Sequence, residues 1–135
     1  MVLNYEILEH KADLKIRVFG KTKKELFLNA VLAMGESLKP NGKSSIVDRK
    51  IKVKSGNLET LLVDFLSEVL YLVQVNKEIY INVEFNKFSD NEIEAELSGQ
   101  KVERFGEDIK AVTYHNLDVR QKEDDNWEAT ILFDV

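Results

Sequence analysis

A chain of 135 residues with 44% hydrophobic and 32% charged residues has the make-up of a globular protein, long enough to bury about two-thirds of its unfolded surface in one core. Its net charge of −5 argues against a protein whose main task is to hold nucleic acid by its phosphates, and the lack of cysteine excludes a disulfide framework, a thiolate metal site and a cysteine nucleophile. The apolar stretch from Leu58 to Val75 carries Glu59, Asp64 and Glu68 and is no membrane span; with no signal-peptide pattern at the N-terminus, the cytoplasm is the expected compartment.

Taken in order, Tyr5 to Glu9 reads as a short strand, and Leu14, Ile16 and Val18 alternate with Lys15 and Arg17 in a second one. His10 and Asp13 fall in the connection between them. Thr22 followed by Glu25 has the form of a capping box, and Phe27, Ala30, Val31 and Met34 recur at helical spacing. A helix is predicted over 22–37, stopped by Lys39-Pro40-Asn41-Gly42. Lys50, Lys52 and Lys54 alternate with Ile51 and Val53 as a strand with one wet face. Asn57 then offers an N-cap to the main core helix, whose stripe runs from Leu58 through Leu61, Leu62, Phe65, Leu66, Val69 and Leu70 to Val73. Asp64 lies just off that stripe, as a flank residue or one with a buried partner.

Ile79 to Phe85 and Ile93 to Leu97 alternate on either side of Ser89-Asp90-Asn91, the pattern of an antiparallel hairpin. Residues 99–106 read as polar loop. A last pair, near Leu117 to Gln121 and Trp127 to Val135, closes across Glu123-Asp124-Asp125-Asn126. With no repeat or linker, residues 1–135 read as one domain. The predicted class is α+β: a two-layer sandwich with two helices packed on one face of a mostly antiparallel or mixed sheet.

Chemistry-bearing residues concentrate near the two ends. Asp134 and Val135 finish a half-buried strand, so a side-chain carboxylate and main-chain oxygen are held at one point. If Asp13 joins them, the surroundings are oxygen-only, which suits calcium or magnesium; the bland alternative is that these groups are simply solvated and Asp13 is a turn residue. Lys110, Thr113, Tyr114 and His115 form a turn-length group able to supply a cation and donors to a phosphate, or merely a surface turn. Phosphate-loop, dinucleotide-loop, HExxH and GxSxG patterns are all missing, so no self-contained catalytic centre is visible and no catalytic residue is assigned.

The residues His10-Lys11-Ala12-Asp13, Val18-Phe19-Gly20, Thr22-Lys-Lys-Glu-Leu-Phe27, Leu61-Leu-Val-Asp-Phe-Leu66, Lys110-Ala-Val-Thr-Tyr-His115 and Trp127-Glu-Ala-Thr-Ile-Leu-Phe-Asp-Val135 follow in order along nearly the whole chain. Together they resemble the archease family. The resemblance implies a protein cofactor and not an enzyme: an activator of the RtcB-type RNA ligase of tRNA splicing, promoting ligase guanylylation and multiple turnover and broadening its nucleoside triphosphate use. It implies a calcium-type site, with magnesium or another hard divalent cation as the other choice, held by Asp13, Asp134 and Val135. Lys110, His115 and His10 are implied as functional near it. The partner would be the ligase, and through it GTP and tRNA halves, with no membrane and little direct nucleic-acid binding. Two other classes compete: a zinc hydrolase using His10, Asp13 and His115, and a chaperone-like binding module.

Overall fold

The computed structural model describes residues 4–9 and 13–135. Among them the chain forms β1 (Tyr5–Glu9), β2 (Asp13–Gly20), α1 (Lys23–Ser37), β3 (Pro40–Asn41), β4 (Ile46–Lys54), α2 (Leu58–Asn76), β5 (Glu78–Phe88), β6 (Glu92–Lys101), β7 (Arg104–Phe105), β8 (Ala111–Gln121) and β9 (Trp127–Asp134). This is the α+β class, with two helices and antiparallel pairing in every ladder. The strands divide into a four-stranded sheet ordered β1-β2-β9-β8, a three-stranded sheet ordered β4-β6-β5 and the short ladder β3-β7. The helices tie the two larger sheets together: α1 packs on β2 and β5, and α2 packs on β8, β4 and β5.

Local chemistry sets the helix ends. Thr22 accepts from the Glu25 amide at 3.1 Å, as its spacing predicts, but the Glu25 carboxylate reaches back to the Lys21 amide at 3.2 Å, one residue beyond the cap. At α2 the exchange is reciprocal between Asn57 and Thr60. The apolar stripe then buries Leu61, Leu62, Phe65, Leu66, Val69, Leu70 and Val73. Phe65 lies 5.7 Å from the Phe27 ring and 6.0 Å from Phe85, and Phe88 meets Phe27 and Phe85 edge-on. These rings join α1, α2 and β5 in one apolar core.

α2 stops on Lys77, which takes the left-handed conformation with φ 54° and returns its N–H to Val73. The turn delivers Glu78 into the interior, where its side chain has no solvent exposure. There it accepts from Arg49 Nε at 2.9 Å, Arg49 Nη2 at 2.7 Å and the Tyr80 hydroxyl at 2.8 Å. The hydrogen bonds from Arg49 hold the Glu78 carboxyl below its ordinary range, and burial together with the Glu78 carboxylate pushes the Tyr80 phenol up.

Two expectations are corrected. Residues 99–106 are not simply loop: β6 runs through Gly99 to Lys101, and Arg104–Phe105 pairs with Pro40–Asn41. Gly99 belongs to the strand because the β5 backbone crosses close to it; a Cβ there would stand 1.8 Å from the Ile79 carbonyl oxygen. The Lys110 to His115 segment is likewise no turn. It leads into and begins β8, and the irregularity lies later, where the register breaks between Thr113 and Asp118 and Asn116 adopts φ 54°.

Candidate functional site

β2 and β9 are far apart in sequence but adjacent in the sheet, because both bury alternate apolar residues on the same face: Leu14, Ile16 and Val18 from one, Ala129, Ile131 and Phe133 from the other. The register that aligns those residues sets Asp13 opposite Asp134. β8 flanks β9 on its other side, placing Ala111 opposite Asp134, and the Lys110 N–H donates to the Asp134 carbonyl at 2.7 Å. Thus the start of β2, the end of β9 and the approach to β8 meet at one end of the sheet.

A recess of about 210 Å³ opens there, lined by Asp13, Ser37, Glu107, Asp108, Ile109 and Val135, with Leu14 behind them. The Asp13 Oδ1 atom is buried and has no hydrogen-bond partner among the described residues. A buried polar atom without a partner costs about 1–3 kcal/mol. Among the described residues, then, this carboxylate oxygen has bonding capacity to spare and stands with further oxygen donors, a set that suits a hard cation better than zinc. No three histidine, aspartate or glutamate side chains among the described residues form a ready-made metal cluster. Asp134 is exposed and does not line the recess, whereas its neighbour Val135 does.

The other sequence candidates fall around this point at different distances. Lys110 adjoins it through its backbone and exposes its side chain. His115 is exposed farther along β8, its N–H 3.3 Å from Thr113 Oγ1, and it does not line the recess. His10 lies outside the described residues. Of the two described members of the expected zinc trio, Asp13 stands in the recess and His115 does not. Asp64 does have a partner, the Tyr114 hydroxyl, which donates to it from β8 across to α2. That hydrogen bond, with some burial, raises the Tyr114 phenol above its ordinary value. Glu107, Asp108 and Ser37 were missed in the sequence. The consecutive acids before Ile109 were a faint signal, but nothing local tied them to Asp13.

The profile of the archease protein family matches residues 5–135. Proteins named protein archease from Methanosarcina barkeri and Methanosarcina acetivorans are 38% and 39% identical over 140 aligned residues, covering 97% of this chain and 95% of each relative. The solution structure of protein 1598 from Methanobacterium thermoautotrophicum shares the fold with a TM-score of 0.74 at 22% identity, covering 98% of this chain and 99% of that one. A crystal structure from Thermotoga maritima, described as an archease and possible chaperone, superposes with a TM-score of 0.69 at 21% identity, over 95% of this chain and 94% of that one.

Proposed function

The chain belongs to the archease protein family, and on that footing we propose that it is a cytoplasmic activator of an RtcB-type RNA ligase, promoting guanylylation of the ligase and its return to further turnovers. The observation that carries the reading is the Asp13 Oδ1 atom, buried without a partner among the described residues, in a recess shared with Val135 and on the strand that faces Asp134. Asp13 and Val135, which line the recess, suit calcium or another hard divalent cation, and Asp134, opposite Asp13 in the β2–β9 register, would turn toward it to complete the set. Such a cation supplies positive charge against which triphosphate oxygens are neutralised. The chain's own residues supply position. The paired ends of β2 and β9 fix the carboxyl groups on a rigid sheet, and the exposed Lys110 beside them offers an ammonium to a phosphate. His115, and His10 in the preceding connection, are assigned supporting contacts to the ligase or its nucleotide.

With no catalytic residue of its own in this scheme, the chain acts by presenting charge at the ligase's nucleotide pocket, leaving the nucleophile to the ligase. The test is single-turnover guanylylation of a cognate ligase with Asp13→Ala or Asp134→Ala protein. Stimulation should fall at least tenfold with either, and undiminished stimulation by both sinks the mechanism. Calcium should also raise the melting temperature of the unaltered chain and leave that of Asp13→Ala unmoved.

A further inference from the structure

The outer edge of β8 carries a surface that the cation recess does not use. Among the described residues β8 pairs with β9 alone and is the last strand of its sheet. Such an edge presents backbone N–H and C=O groups that another extended chain can satisfy. Beside it α2 exposes Tyr71 and Val75, at 57% and 60%. A groove of about 250 Å³ lies between helix and strand, with Leu70 and Val112 inside it and Ser67, Gln74 and Lys110 along it. Its walls are fixed at both ends: Gln74 Nε2 donates to the Ile109 carbonyl at 2.7 Å, and the Tyr114 hydroxyl donates to Asp64. The groove is formed before anything enters it.

We propose that this groove receives an extended segment of the partner ligase, added as a short strand to β8; the identity of the partner rests on the activator reading above. Edge addition of this kind takes its affinity from main-chain hydrogen bonds and its selectivity from alternate side chains in a flanking groove. Three observations choose the occupant. Among the described residues the one charged side chain lining the groove is the exposed Lys110, and the rest of the lining is apolar or neutral. A segment with an apolar residue beside an acidic one complements it. The register break after Thr113 leaves only a short straight edge. That suits a few residues of a partner and obstructs two copies of β8 from pairing along their length. Finally, Lys110 also borders the Asp134 end of the sheet, so a segment in the groove lies beside the groups the activator reading presents to the ligase.

The experiment measures binding of the cognate ligase to the unaltered chain, to Ser67→Arg and Val75→Glu, and to Lys50→Ala, an exposed change on β4 outside both the groove and the recess, alongside hydrogen exchange of the chain with and without ligase. Ser67 and Val75 are exposed, so their substitution leaves the core intact. The expected result is at least tenfold weaker binding for Ser67→Arg and Val75→Glu, unchanged binding for Lys50→Ala, and slowed exchange at Ala111 to Thr113 in the complex. Equal binding by all variants with no slowing overturns the groove and leaves the activator reading standing. No binding and no stimulation by the unaltered chain overturns both. A concentration-dependent dimer broken by Val75→Glu makes a second copy the occupant and overturns the proposal.

Discussion

Replacing Glu78 with glutamine changes little in volume and much in bonding. The carboxylate is shut off from solvent, with one oxygen accepting from Arg49 Nε and the Tyr80 hydroxyl and the other from Arg49 Nη2. In Glu78→Gln the amide oxygen can keep the first two donors, whereas the amide nitrogen meets Nη2 donor to donor. One charge-assisted hydrogen bond is lost and the remaining pair is weakened; removing one partner of a buried ion pair costs about 3–5 kcal/mol. Because the Arg49 guanidinium keeps 38% side-chain exposure and can turn to water, the loss at Glu78 should be smaller, about 2–3 kcal/mol. At roughly 3–5 °C per kcal/mol for a domain of this size, the melting temperature should drop by about 6–15 °C. The assay is thermal and urea unfolding by circular dichroism at several pH values. Glu78 has its folded value lowered from 4.5, so its contribution is fully present above 4.5 and is lost as pH falls through the folded value. The gap between the two proteins should therefore be constant at neutral pH and close in acid. Equal melting temperatures at pH 7, or a gap that persists unchanged in acid, would refute the reasoning.

Gly99→Ala should be among the most damaging single-methyl changes in the chain, since the new Cβ meets the Ile79 carbonyl at 1.8 Å and backbone must move; a loss of about 2–3 kcal/mol or more is expected in urea unfolding, and a near-neutral result would show that β5 and β6 can part cheaply. Tyr114→Phe removes only the hydroxyl that donates to Asp64 on a side chain 55% exposed, so stability should change by less than about 1 kcal/mol. Backbone exchange near the β8 register break should quicken nonetheless, and unchanged exchange there would show that the contact does not hold β8 to α2.

Much of the architecture is written in short-range pattern. The Thr22 and Asn57 caps, the α2 stripe, the β5–β6 hairpin and the alternation of Trp127, Ala129, Ile131 and Phe133 are each legible because their periods of 3.6 and 2 decide which face is buried within a few residues. The misread places are those where a distant backbone sets the conformation. Gly99 looks like a loop residue until Ile79 is seen lying against it. Nothing in the sequence around Glu78 marks it as buried, because Arg49 and Tyr80 close over it only in the fold.

The same division holds at the candidate site. The amino-acid sequence by itself fixed the family likeness, the two helices and the terminal strand, since motif order and hydrophobic period are properties of the chain read locally. Only the tertiary structure decided that Asp13 stands opposite Asp134, that Glu107 and Asp108 share the recess with Asp13, and that His115 stands apart. The β2–β9 register follows from burying both apolar faces together, and no spacing within either strand encodes the partner it will meet.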